Sequence, residues 1–354
     1  MKRIFKNAEK QKQFEQEGYT VFPLLSHDET NELKQYYESL NFKDDNGFGF
    51  HVSMDKPDKN ISLQIREKLW GTILPELDKY LIDYKPFVAS FVVKDPNPKG
   101  VVPAHQDWSF TDKEEDGFCS ITCWVALVDT SLENGELGVI KGSHKLMQNH
   151  RPSPSPQAPV PLSEHMFSIF PYLKTIDMKA GEVLMFDNRT FHASPPNTTS
   201  EVRLAAGVGV TQKDAQLVHY YLKPDGTKAT ILKYAVDEDF FIHYNNASLS
   251  KLYEEGKQIE GYQLLEEVPY SFNKYDSKEL ISLIKSLGNE YNVPMCEKLA
   301  ELFDYNADGS TKTEPPFENK DTSLTVEKPA PQSFFEVYTP YNIFREIIFR
   351  LTGT

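Results

Sequence analysis

Val101 to Phe110 reads Val-Val-Pro-Ala-His-Gln-Asp-Trp-Ser-Phe, and its polar centre is His105 and Asp107. Alternate side chains of a β-strand share a face, so a strand here would project His105 and Asp107 together and turn Gln106 away. An imidazole and a carboxylate on one face are two of the three ligands that hold a non-haem Fe(II) in a facial triad. The third ligand must be another histidine, delivered by the fold from a distant strand. His192, in Phe186-Asp-Asn-Arg-Thr-Phe-His192-Ala-Ser194, lies far enough downstream for several strands to intervene.

A lone His-x-Asp/Glu is weak evidence, and the chain carries its own decoy in His27-Asp28-Glu29. There Glu29 is explained by a capping box with Ser26 at a helix start, and a helix sends positions i and i+2 to different faces. What separates His105-Gln106-Asp107 from the decoy is its apolar, aromatic setting and a second charged oddity. Arg203 opens the run Val202-Arg-Leu-Ala-Ala-Gly-Val-Gly-Val. A guanidinium in such a strand is costly to bury unless it meets an anion, and its planar fork suits a carboxylate. The alternative is a salt bridge with one of the many acidic residues. Ala205, Ala206, Gly207 and Gly209 leave room beside it.

The elements that must position these groups are read from period and composition. With 39% hydrophobic and 25% charged residues and a mean hydropathy of −0.50, the 354-residue chain is a globular one able to bury a large core. A net charge of −14 argues against nucleic acid or an anionic membrane as partner. No apolar run reaches membrane-span length and the N-terminus lacks a secretory pattern, so no stable membrane insertion and a cytoplasmic location are expected. The three cysteines offer no disulfide framework.

Helices are expected over 7–17, from the Ser26/Glu29 box to Leu40, and over Ile61–Leu81 with an interruption near Gly71 and Pro75. From Phe87 the period changes to short β-branched and aromatic runs: Phe87–Val93, Val101–Asp107, Phe118–Asp129, Leu137–Lys141, Leu173–Met178, Glu182–Phe186 and Val202–Thr211. Leu217–Leu222 and Thr230–Val236 continue it. The proline-rich 151–161 reads as an extended surface loop over a barrel mouth. The fold class is therefore mainly β with flanking helices, with one domain over 1–240 and a partly helical extension over 241–354. Within the extension 305–332 reads as a polar linker, and Tyr341–Leu351 as an amphipathic helix docking back on its own chain.

His105-x-Asp107, Trp124-Val-Ala-Leu-Val-Asp129, Glu133-Asn-Gly-x-Leu137, Gly142-Ser-His144 and His192-x-Ser194 with Arg203 together resemble the phytanoyl-CoA dioxygenase family of Fe(II)/2-oxoglutarate oxygenases. The resemblance runs from about Phe14 to about Thr211. It implies a double-stranded β-helix (jelly-roll) core, with His105, Asp107 and His192 as the catalytic iron ligands. It also implies Arg203 as the anchor for the distal carboxylate of 2-oxoglutarate, Ser194 as a second contact and Trp124 beside the co-substrate. His144 belongs to a structural turn. Trp108, Phe110 and the loop carrying His51 are candidate substrate-pocket residues.

The implied activity is hydroxylation of an unactivated C–H bond of a small-molecule substrate, with Fe(II), 2-oxoglutarate and O2 consumed to give succinate and CO2. Related halogenases replace the carboxylate ligand with Ala or Gly, so Asp107 favours C–H oxidation over halogenation. Desaturation, cyclisation or epimerisation would use the same residues. A protein hydroxylase and a non-catalytic jelly-roll binding protein are the competing readings, and the intact triad with Arg203 counts against the second.

Overall fold

Asn7 opens the first helix by accepting the N–H groups of Glu9 and Lys10, and Gly18, at a positive φ, closes it. The second helix begins in the expected capping box, with Glu29 N–H on Ser26 Oγ and Ser26 N–H on Glu29 Oε2. In this computed structural model the described residues are 1–42, 47–98, 100–166 and 168–302. The linker and the tail helix expected beyond 302 lie outside them.

The elements are α1 (Ala8–Glu17), β1 (Tyr19–Pro23), α2 (His27–Ser39), β2 (Phe50–Val52), α3 (Lys59–Leu77), β3 (Tyr84–Lys94), β4 (Val102–His105) and β5 (Ser120–Ala126). There follow β6 (Gly138–Val139), β7 (Lys174–Thr175), β8 (Glu182–Asp187), β9 (His192–Ser194), β10 (Arg203–Gln212), β11 (Val218–Leu222) and β12 (Thr230–Ala235). The last are α4 (Phe240–His243), α5 (Asn246–Glu254), β13 (Gln263–Pro269), α6 (Ser277–Ser286) and α7 (Val293–Leu302).

Two antiparallel sheets form the jelly roll. The larger runs β1-β8-β5-β10-β3-β2 and the smaller β4-β9-β6-β7, while β11-β12-β13 make a third sheet. The alternation along β3 shows how the larger sheet is used. Phe91 and Val93 join the core under α2 and α3, with Leu33, Ile65, Leu69 and Ile73. Trp124 on β5, Leu184 and Phe186 on β8 and Ala205 on β10 form a separate cluster with Leu137 and Val139 of the smaller-sheet side. Of the candidate residues, Trp124 belongs to this second set.

Three expectations are corrected. α3 runs unbroken through Gly71 and Pro75, because its buried stripe of Ile65, Leu69, Ile73 and Leu77 holds it against the sheet despite both breakers. Residues 151–161 are not a surface loop throughout. Arg151, Pro152, Ser153 and Pro154 are buried, and Ser153 exchanges backbone hydrogen bonds with Tyr220 and Leu222 on β11. The strand through His105 stops there, so Asp107 lies just past its end. No helix among the described residues is long and apolar enough to cross a membrane.

The described residues after 240 pack against the rest of the molecule. Phe240, Phe241 and Leu249 share a cluster with Phe87 and Tyr221, and Leu280, Ile284 and Met295 share one with Ala104, Ile140 and Phe191. At the first of these, His219 on β11 is fully buried, hydrogen-bonded through Nε2 to Ser153 Oγ (2.7 Å) and in ring contact with Phe240 and Trp108. Burial pushes its pKa down to about 3. The folded state therefore holds His219 neutral where the unfolded chain takes up a proton, so its contribution to stability is complete above about pH 6.5 and declines as pH falls toward 3. Between pH 7 and 5 that contribution falls by about 2 kcal/mol. His219→Gln keeps a partner for Ser153 without titrating, and urea unfolding at the two pH values is expected to show a smaller acid loss for the variant than for the parent.

Candidate metal centre

The β4–β9 pairing places His105 directly opposite His192, so the two imidazoles are cross-strand neighbours with ring centroids 4.2 Å apart. Each ring is fixed in the same way. Nδ1 of His105 bonds the carbonyl of Pro103 (2.8 Å) and Nδ1 of His192 that of Thr190 (2.9 Å). A carbonyl can only accept, so the proton sits on Nδ1 in both rings and each Nε2 keeps its lone pair. Those Nε2 atoms point toward Asp107 Oδ1, at 3.8 Å from His105 and 3.7 Å from His192.

Asp107, past the end of β4, is fixed by other means. Its N–H donates to the Asn188 carbonyl (2.9 Å), and its own carbonyl accepts from Arg151 Nε (2.7 Å). The Thr122 hydroxyl lies within hydrogen-bond distance of Asp107 Oδ2 (3.1 Å) and of Asn188 Oδ1 (2.9 Å), leaving Asp107 Oδ1 toward the imidazoles. One donor atom from each of His105, Asp107 and His192 lies within 4.8 Å of the others, the arrangement of a site able to hold a divalent metal. Desolvation on its enclosed side, reinforced by His192, lowers the His105 pKa against the opposing pull of Asp107, which favours the neutral ring that ligation requires. The side chain of His105 is 40% exposed and that of His192 only 7%, so the centre opens on the His105 side. Gln106 turns away as expected, donating to the carbonyls of Met147 and Arg189.

Thr122 and Trp124 are two apart on β5 and share a face. That face carries the site from Thr122, at the metal centre, about 7 Å along the strand to Trp124, whose ring lies 5.0 Å from the Arg203 guanidinium. Arg203 is 1% exposed and donates through Nη1 to the Gly135 carbonyl (2.9 Å), while its buried Nε and Nη2 have no hydrogen-bond partner among the described residues. Burial lowers its pKa to about 9. Two unfilled donors on a buried guanidinium fit the end carboxylate of a diacid such as 2-oxoglutarate, with the other end toward the His/Asp/His group.

Directly across β3–β10 from Arg203 is Lys94, fully buried and not anticipated from the sequence. Its ammonium donates to Ser194 Oγ and to the carbonyls of Ser194 and Pro195, so Ser194 is held by Lys94 within this wall. Burial, with repulsion from Arg203 behind it, holds the Lys94 pKa well below the usual lysine range. The signal that singled out Arg203, an isolated cation in an apolar strand, is present in Phe91-Val-Val-Lys94 as well. Gly135 supplies the close approach here: at φ +82°, a side chain would meet Lys94 Cδ at 2.6 Å and the Pro195 carbonyl at 2.7 Å.

The remaining candidates separate. Trp108 and Phe110 follow Asp107 directly and pack on His219 and Phe241, with ring centroids 5.3 Å apart in both pairs. His51 is paired in register with Val93, on the opposite face of the sheet from Lys94, and bonds Asp95 (3.1 Å). It is not part of the centre. Arg189, in the turn before His192, closes a two-pronged buried pair with Asp187. His144 bonds the Glu15 carbonyl, a structural role.

Comparison with known proteins agrees with this geometry. The chain is 33% identical over 91 residues to "Dioxygenase trt7" of Aspergillus terreus (strain NIH 2624 / FGSC A1156), covering 26% of this chain and 27% of that protein. It is 30% identical over 136 residues to "Phytanoyl-CoA dioxygenase" of Arabidopsis thaliana, covering 35% of this chain and 43% of that one. The matches thus span less than half the length of either curated relative. Among solved structures, the non-heme alpha ketoglutarate dependent carbocyclase SnoK from nogalamycin biosynthesis aligns with a TM-score of 0.42 at 19% identity, over 60% of this chain and 86% of that one. The phytanoyl-CoA dioxygenase (PhyH) family profile matches residues 14–205, which holds His105, Asp107, His192 and Arg203, and the chain belongs to that family.

Proposed function

We propose that this protein is an Fe(II)- and 2-oxoglutarate-dependent dioxygenase that hydroxylates a C–H bond of a small-molecule substrate in the cytoplasm. The observation that carries the reading is the convergence of two unblocked imidazole nitrogens and one carboxylate oxygen in the barrel that buries Arg203 with two unfilled donors. His105, Asp107 and His192 would hold the iron, and Arg203 the far carboxylate of 2-oxoglutarate. With these bound, iron and O2 supply the oxidant for the substrate C–H bond while 2-oxoglutarate becomes succinate and CO2.

The protein's own part is orientation and exclusion of water. Thr122 leaves one carboxylate oxygen of Asp107 free, and the Pro103 and Thr190 carbonyls keep both Nε2 atoms unprotonated. Phe186, 4.6 Å from the His192 ring, covers the inner side of the centre. Trp124 lies over Arg203 and sets the depth of the co-substrate end. The free state of Cys119, Cys123 and Cys296 supports the cytoplasmic assignment.

Asp107→Ala is expected to abolish iron-dependent succinate formation, a loss beyond the roughly 10- to 100-fold typical of removing an outer partner; normal turnover would remove Asp107 from the ligand set. Thr122→Val should weaken metal binding by about tenfold with 2-oxoglutarate contacts untouched, measured by competition with a chelating dye. Arg203→Ala should raise the dissociation constant for 2-oxoglutarate by about 10- to 100-fold while metal affinity stays within about twofold, read by calorimetry on the Mn(II)-loaded protein. The overall reading is tested by mass spectrometry of metabolite pools: a product heavier by one oxygen, formed only with iron, 2-oxoglutarate and O2 together, is expected. Absence of any 2-oxoglutarate binding or uncoupled succinate would sink it.

A further inference from the structure

α7 lies beyond the family match, yet it is tied to the molecule at several points. Asn292, just before it, donates its N–H to the Pro171 carbonyl (2.6 Å) and its side-chain amide to that of Leu173 (2.8 Å). Met295 is fully buried beside Ile140, Phe170 and Phe191. The helix therefore has a fixed seat on the outer side of the smaller sheet, and it presents one nearly buried cation. Lys298 is 6% exposed, and its ammonium donates to Glu133 Oε2 (3.0 Å) and Thr198 Oγ1 (2.9 Å).

These two partners stand on separate turns, each a step away from a buried cation of the site. Glu133 begins the Glu-Asn-Gly turn whose Gly135 carbonyl accepts Arg203 Nη1. Thr198 ends the segment Ser194–Thr198 whose first two carbonyls accept Lys94. The turns are also joined directly, by Thr198 N–H and Oγ1 on the Glu133 carbonyl (2.9 and 3.0 Å). Close packing transmits the constraint inward, since Gly135 lies against both Lys94 and Pro195. An ammonium so little exposed is stable only while both acceptors stay in place, so it favours the one arrangement in which they do.

We propose that Lys298 is a positioning residue for the co-substrate: from α7 it locks the 133–135 and 194–198 turns and so sets the orientation of Arg203 toward an incoming carboxylate. This rests on the reading of Arg203 as the 2-oxoglutarate anchor. It gives the C-terminal segment a role in binding that residues 14–205 lack by themselves.

The test uses the full chain loaded with Mn(II) and calorimetric titration of 2-oxoglutarate. Lys298→Met keeps the buried stem and removes the ammonium; it is expected to weaken 2-oxoglutarate about tenfold and leave Mn(II) affinity and the thermal midpoint near the parent's. Lys298→Arg, which can still reach two acceptors, should recover most of the affinity. Thr198→Val keeps the charge but breaks one half of the latch, and it should weaken 2-oxoglutarate in the same direction by about threefold. Parent-like affinity in Lys298→Met, or in Thr198→Val, overturns the proposal, as does equal weakening of metal and 2-oxoglutarate. Should Lys298→Met fold poorly, the Thr198→Val and Lys298→Arg titrations decide it alone. A parent chain that binds Mn(II) but no 2-oxoglutarate refutes the Arg203 assignment itself, and the latch with it, a result distinct from a latch variant that binds normally.

Discussion

The antiparallel pairing of β4 with β9 is the constraint on which the centre depends. It sets His105 opposite His192, and the rest of their geometry is local. Each ring donates Nδ1–H to the carbonyl two residues earlier in the chain, Pro103 in β4 in one case and Thr190 just before β9 in the other. Two strands using the same local bond turn the same nitrogen inward, so a register shift of one residue would dismantle the centre at once. Asp107 is outside this symmetry. Lacking a ladder partner, it is fixed by Asn188, Arg151 and Thr122, which come from three other parts of the chain.

A second constraint runs across β3 and β10, where Lys94 and Arg203 face each other under burial that neither charge tolerates well. The fold treats them differently. Lys94 has three acceptors and is saturated, while Arg203 has one and keeps two donors unfilled. A carboxylate on Arg203 would take both donors and pair the buried charge. Binding that fills the donors stabilises the folded chain by linkage.

Much of this was legible in the sequence, and what was not has physical causes. The strands around Phe87–Val93, Phe118–Asp129 and Val202–Thr211 announced themselves through β-branched and aromatic runs, and the capping box at Ser26 through residue type alone. β6, β7 and β9 are two or three residues long, too short for any period, and exist because their partners hold them. Gly71 and Pro75 are breakers by propensity that tertiary packing overrides. Proline-rich composition marked 151–161 as surface, yet Arg151 in it is buried by a paired interaction with Glu114, a partner that composition does not reveal. His51 shows the limit of proximity in sequence to a glycine-rich loop: β2 pairing sends it to the other face. Lys94 was visible by the criterion applied to Arg203.

The chain beyond residue 205 also builds part of the centre's surroundings. Trp108 and Phe110 leave Asp107 in the direction of His219 and Phe241, and that cluster is completed by Phe240, Leu249 and Ile259, all from outside the family match. At the other end, α6 and α7 supply Leu280, Ile284 and Met295 to the core beneath β4 and β9. Both walls of the site are therefore part of one packing problem with the C-terminal segment. The described C-terminal segment thus reaches the surroundings of the metal centre twice, through the aromatic pair that follows Asp107 and through the core beneath β4 and β9.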